Sequence, residues 1–214
     1  ADDGFVEGSG AQYLWMVPFD PAGLFEALGG REASIARLDA FFRKPDGAWA
    51  VTKSGPLHAE LDNEPSIAAP WLYNFLGQPW KTQETVRQAM RQIWTNTPEG
   101  MPGNDDLGQM SSWYVWSALG LYPVYPGRAD LVIGSPLFTE AVITRPGAKI
   151  VVRARGAAMD APYVQSLQVD GKASNASWLP ASFVQSGGTL DFELGSTKNE
   201  QWGAQDVPPS HGPR

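Results

Sequence analysis

The sequence predicts an α+β fold, with helices over roughly residues 1–125 and a β-sandwich-like region after them. Three observations carry this reading. Up to Pro123–Arg128, apolar residues recur at helical spacing. Beyond that point the apolar runs shorten, grow rich in Val, Ile and Phe, and break at Gly, Pro and Asp. Within the second region the Asp-Gly pair of "VDGK", Val169 to Lys172, is a hairpin turn signal.

The elements follow in order. "PAGLFEALGG" sets Leu24, Phe25 and Leu28 on one face and stops at a Gly pair. "SIARLDAFFRKP" aligns Ile35, Leu38, Phe41 and Phe42, with Ser34 as the expected cap and Pro45 as the stop. "EPSIAAPWLYNFLGQP" reads as a third helix and "KTQETVRQAMRQIWTNTP" as a fourth, amphipathic through Val86, Met90, Ile93 and Trp94. A fifth is expected over 107–120. Met110, Trp113, Tyr114, Val115, Trp116 and Leu119 surround its axis, so it should be buried on most sides. Five helices are too few to cover it, which marks the region as the later part of a larger helical array. The strands are "DLVIGS", "EAVITR", "KIVVRA", "YVQSLQVDG" and "LDFELG", expected to pair antiparallel. The Pro-rich tail, 206–214, is expected to be loose.

Composition narrows the function. The 214 residues are 43% hydrophobic and 18% charged, the balance of a globular protein with ample core. A net charge of -7 argues against nucleic acid or an anionic membrane as partner. The absence of cysteine removes disulfides, thiolate metal sites and cysteine nucleophiles. No apolar run approaches membrane-spanning length, and no signal peptide is recognisable at the start of this chain. Nine Trp fill a core or line a flat ligand surface, and sugars have such flat faces.

Three clusters carry candidate chemistry. In "GMPGNDDLGQM", Asp106 and Gln109 have the spacing of a capping box, yet Asn104 and Asp105 add more oxygen than one cap requires. A helix N-terminus also favours the ionised carboxylate that a general base needs. In "HAELDNEPSIAAP", Asp62, Asn63 and Glu64 precede a helix with Pro65 in its first turn. They could cap it or offer oxygens to a hard cation, though not at EF-hand spacing. In "GFVEGSGAQYLW", Glu7 stands among aromatics that could raise its pKa toward that of a general acid. Only two His occur, and no Ser-His-Asp arrangement or phosphate-binding loop is present.

Together, "EGSGAQYLWMVPFDPAGLFEALGG", "DNEPSIAAPWLYNFLGQPWKTQETVRQAM" and "GMPGNDDLGQMSSWYVWSALGLYPVYPG" closely resemble the C-terminal part of glycoside hydrolase family 92. "IGSPLF", "YVQSLQVDGK", "SGGTLDFELG" and "QWG" extend the resemblance over nearly the whole chain. These are calcium-dependent, inverting exo-α-mannosidases. The resemblance implies that residues 1–125 are later helices of an (α/α)6 barrel and 126–205 the C-terminal β-structure. It implies terminal α-mannose on glycans as substrate, Ca2+ as cofactor, and a periplasmic or secreted bacterial location. The missing N-terminal part of the enzyme becomes an expected partner. Residue by residue, Glu7 matches the acid and Asp106 the base, with Asn104 at a catalytic position where relatives often carry Asp. Asn63, Glu64 and Asp105 are implied as substrate-binding, and Glu64, Asn63 and Gln109 as calcium ligands. The alternative is a non-catalytic carbohydrate-binding or structural fragment lacking the N-terminal half of the pocket.

Overall fold

A computed structural model describes residues 4–212. Helices come first: α1 (Gly10–Tyr13), α2 (Pro21–Ala27), α3 (Arg31–Phe42), α4 (Glu64–Ile67), α5 (Leu72–Phe75), α6 (Pro79–Ile93) and α7 (Gln109–Leu119). Strands follow: β1 (Leu121–Tyr122), β2 (Leu131–Ile133), β3 (Glu140–Arg145), β4 (Ala148–Arg155), β5 (Tyr163–Val169), β6 (Lys172–Ser174), β7 (Trp178–Leu179) and β8 (Gly188–Gly195). A short helix, α8 (Ala181–Ser186), lies between β7 and β8.

α3 begins one turn earlier than Ser34 suggested. Gly30, at φ +94°, precedes the helix, and the buried Ser34 hydroxyl donates back to the Gly30 carbonyl at 2.8 Å. The expected single helix from Glu64 is broken into α4, a 3-10 turn at Ala69–Trp71, and α5. Pro70 lacks the N–H that a continuous helix would use. α6 buries Val86 and Met90 as its periodicity requires.

The helical core centres on Trp71, Tyr73, Phe42, Leu38 and Trp113. Trp71 and Trp113 are almost fully enclosed, and truncating either to Ala would cost about 3–5 kcal/mol. α7 is not buried on most sides. Met110, Trp113, Ser117 and Ala118 face inward, whereas Val115 is 56% exposed, because α7 packs here on only a few neighbours.

The strands form a three-stranded sheet, β1-β2-β7, and a five-stranded sheet, β3-β4-β8-β5-β6. One buried cluster draws Leu121, Ile133 and Leu179 from the first and Val152, Leu167 and Phe192 from the second, the arrangement of a sandwich. Along β4, Ile150, Val152 and Ala154 point inward in alternation. The antiparallel expectation needs one correction: β4 and β8 run parallel. α8 sits in the crossover that brings β8 beside β4. The β5–β6 turn has positive φ at both Asp170 and Gly171, as a tight hairpin needs.

The two halves are joined by buried polar groups. Asn74 Nδ2 donates to the carbonyls of Ile133 at 2.8 Å and Ser177 at 2.9 Å. Arg87 reaches the Ser135 and Pro136 carbonyls at 3.2 and 3.1 Å, and also that of Ala158. The described tail is not loose. Tyr125 Oη donates to the Pro209 carbonyl at 2.6 Å, Ser210 Oγ to Asp20 Oδ1 at 2.8 Å, and the His211 N–H to the Phe19 carbonyl at 2.8 Å. These long-range bonds fix backbone that proline content alone would leave free.

Candidate active site

The first loop ends at α1. Ser9 and Gln12 form a capping box: Ser9 Oγ accepts from the Gln12 N–H at 3.3 Å, and Gln12 Oε1 from the Ser9 N–H at 2.8 Å. Gln12 Nε2 reaches on to the His58 carbonyl at 3.0 Å, and Tyr13 Oη holds the Val6 carbonyl at 2.8 Å. Between these anchors Glu7 is exposed and adopts φ +59°, a left-handed conformation uncommon for a residue with a Cβ.

The second loop precedes α4. Asn63 is its N-cap, with Oδ1 accepting from the Glu64 N–H at 3.1 Å. Its Nδ2 donates to the Glu7 carbonyl at 2.5 Å. One amide therefore joins the first two loops.

The third loop precedes α7, and here the capping expectation is corrected. Asp106, Leu107 and Gly108 have φ of +47°, +59° and +93°, so the chain turns through three left-handed residues before the helix begins. Asp106 is not the cap. Asp105 Oδ1 accepts from the Ser111 N–H at 2.9 Å, inside the first turn. The neighbouring acids divide the labour: Asp105 ties the helix end, and the exposed Asp106 carboxylate stays clear of it. Gly103, at φ +58°, lets this loop settle on the second one. A Cβ there would lie 2.7 Å from the Asp62 carbonyl oxygen. Trp113 Nε1 donates to the buried Ile67 carbonyl at 2.8 Å, locking α7 to α4.

The result is a convergence of carboxylates. The Glu64 carboxyl is raised above its ordinary value first by desolvation. Hydrogen-bond contact with Asp106, the charge of Asp106 and the charge of Glu7 raise it further, against a backbone hydrogen bond that lowers it. Glu7, Asn63, Glu64 and Asp106 thus come together from three loops. Asn104 is exposed on the third loop, and Gln109 opens α7 half-buried. Gln12, Gly103 and Trp113 were not singled out as positioning residues by the sequence. Only the position of Gly103 in a Pro-Gly-Asn turn hinted at a special backbone there.

The family model for the glycosyl hydrolase family 92 catalytic domain matches residues 1–196. The chain belongs to glycosyl hydrolase family 92. It is similar to an inverting family 92 mannosidase of Bacteroides thetaiotaomicron VPI-5482, with 38% identity and a TM-score of 0.84 over 97% of this chain and 30% of that one. It is also similar to a family 92 α-mannosidase of Bacteroides thetaiotaomicron solved in complex with mannoimidazole, with 34% identity and a TM-score of 0.85. That match covers 96% of this chain and 28% of the other. A protein of Arthroderma benhamiae described as an uncharacterized secreted glycosidase is 32% identical over 204 residues. Those residues are 92% of this chain and 25% of that protein. The chain therefore spans only about 25–31% of the length of these relatives.

Calcium takes six to eight oxygens, commonly several of them carboxylate. Among the described residues of this family 92 chain, no group of three or more His, Asp and Glu side chains could hold a metal ion. Asn63 Nδ2 donates to Glu7, and Oδ1 accepts one hydrogen bond at its cap with a second lone pair left over. Glu64, Asn63 and Gln109 do not by themselves make a calcium cage.

Proposed function

We propose that this chain carries the acid and base of an inverting exo-α-mannosidase acting on terminal mannose of glycans. The observation that carries the reading is the approach of Glu7, Glu64 and Asp106 from three separate loops. Family membership and the mannosidase relatives support the substrate class.

In this reading Glu7 protonates the glycosidic oxygen as the bond to the anomeric carbon breaks and its electron pair leaves with that oxygen. Asp106 removes a proton from the water that attacks the opposite face of the same carbon. Such a pair needs roughly 6.5–9.5 Å between carboxyls so that the water fits. Glu64, whose carboxyl is raised by desolvation and by its neighbour Asp106, sits beside the base and faces the same pocket. Asn63 holds the backbone of Glu7. Asp105 contributes by keeping the base loop on α7, and Asn104 lies beside the base with an amide that can orient water.

The relatives' greater length leaves room for further pocket residues outside these 214, and those residues would supply the oxygens that a bound Ca2+ still lacks. The same relatives, one of them described as secreted, support an exported location.

The test is hydrolysis of α-mannosides by the natural polypeptide at its full length, followed by proton NMR. Inversion predicts β-mannose as the first product, and initial α-mannose would overturn the mechanism. Loss of activity with a chelator and recovery with Ca2+ are expected. Retained mannose binding without hydrolysis would favour a carbohydrate-binding role instead.

A further inference from the structure

Glu7 sits between two planar peptide groups. Its φ is the rotation from the peptide that contains the Val6 carbonyl, and its ψ the rotation to the peptide that contains its own carbonyl. Each of these carbonyls is held from a different element. Tyr13 Oη, on α1, donates to the Val6 carbonyl at 2.8 Å, and Asn63 Nδ2, at the start of α4, donates to the Glu7 carbonyl at 2.5 Å. With both planes pinned, the Cα–Cβ bond of Glu7 has one direction, at the left-handed φ of +59°.

The segment before α1 is built around the Tyr13 ring. That ring lies against Gly8, where a Cβ would come within 3.0 Å of it, and it packs on Phe5 at 5.6 Å. The Phe5 ring in turn covers Gly10, where a Cβ would lie 3.1 Å from it. The glycines on either side of Ser9 therefore make room for two rings. The Val6 side chain is 76% exposed, so burial does not hold the peptide ahead of Glu7, and the tyrosine hydroxyl does. Tyr13 closes α1, whose other end is fixed by the Ser9–Gln12 capping box.

We propose that Tyr13 is a positioning residue for the acid: its hydroxyl aims the Glu7 carboxyl at the glycosidic oxygen by fixing the peptide ahead of it. The proposal rests on the mannosidase reading above. A sugar alkoxide is a poor leaving group and needs the Glu7 proton as its bond to the anomeric carbon breaks. A dinitrophenolate leaves without one. A misaimed acid therefore slows the first kind of substrate and spares the second, whereas a hydroxyl that served folding alone would affect both alike.

The test uses the natural full-length polypeptide, its Tyr13→Phe and Glu7→Gln variants, and the two combined. Each is assayed on the α-linked mannobiose the parent cleaves fastest and on 2,4-dinitrophenyl α-mannoside. Tyr13→Phe keeps the ring that packs on Gly8 and Phe5. It should lower kcat on the mannobiose about tenfold, with KM and the dinitrophenyl reaction changing by less than about twofold. Glu7→Gln should lower kcat on the mannobiose by about 10²–10⁴ and spare the dinitrophenyl substrate. On that background Tyr13→Phe should cost less than about twofold more, because no proton is left to aim. Equal losses from Tyr13→Phe on both substrates, no loss on either, or a full tenfold loss added to Glu7→Gln would overturn the positioning role and leave the acid in place. Equal losses from Glu7→Gln on both substrates would overturn the acid assignment, and the positioning role with it.

Discussion

Asn63 Nδ2 donates to the main-chain oxygen of Glu7 at 2.5 Å, across 56 residues of sequence. The bond acts on backbone, so it aims the Glu7 side chain without consuming its carboxylate. It also steadies a residue held at φ +59°, a conformation that costs about 1–2 kcal/mol outside glycine. Asn63→Asp replaces the donor with a carboxylate facing a carbonyl oxygen. The expected outcome is a fall of at least about tenfold in kcat/KM, and a loss of stability near 1 kcal/mol by urea titration.

Asp105 and Asp106 should separate cleanly. Asp105→Ala removes the side-chain acceptor for the Ser111 N–H and should cost about 0.5–2 kcal/mol. Asp106→Asn removes the proposed base and should lower kcat by about 10²–10⁴ with little change in thermal midpoint. The reverse pattern, with Asp105 governing turnover and Asp106 stability, would exchange their roles.

Glu64 makes a pH prediction. Its carboxyl is raised in the folded protein by burial and by Asp106, so the native state holds this proton to higher pH than the unfolded chain does. Between the two values the native state binds more protons, and stability falls as pH rises through that window. Glu64→Gln should therefore be more stable than the parent at neutral pH. The difference should close as pH drops below the ordinary glutamate range. Midpoints of urea unfolding at pH 7 and pH 4 would read this, and a gap that widens toward acid would refute it.

Arg87 should be structural. Its guanidinium is mostly buried, its pKa is lowered to about 10 chiefly by desolvation, and Ser135 Oγ and carbonyls of the sheet-side loops receive its N–H groups. Arg87→Ala leaves those oxygens without their donor, at about 1–3 kcal/mol for each one that stays buried and unpaired, so a loss of at least about 2 kcal/mol is expected. Arg87→Lys should recover only part of it, since one ammonium cannot span the same acceptors. Differential scanning calorimetry of the two variants checks both statements.

The helix-then-strand order, the α6 face and the Asp170-Gly171 turn were legible because each follows from local pattern. The α7 cap was misread because Leu107, whose side chain disfavours positive φ, gives no sign of the left-handed turn between Asp106 and the helix. Ser34 imitated a cap because its hydroxyl bonds backward to Gly30 within the helix. Pairing β4 in parallel with β8 depends on a crossover that no short window contains. At the candidate site, oxygen-rich clusters ahead of helices were visible as such. That Glu64 would face Asp106 was not, because the contact is made by loops brought together through α4, α7 and Trp113.

The anchored tail bears on synthesis. Asp20 caps α2, and Ser210 completes that cap by donating to Asp20 Oδ1 and accepting from the Ala22 N–H. The two partners are separated by 190 positions. At ribosomal speeds, roughly 10–40 s elapse between adding the first and adding the second. For that interval the start of α2 has to rely on solvent or on a chaperone. Translation stalled just short of Ser210 should leave a nascent chain whose α2 end is open to proteases, and emergence of Ser210 should close it.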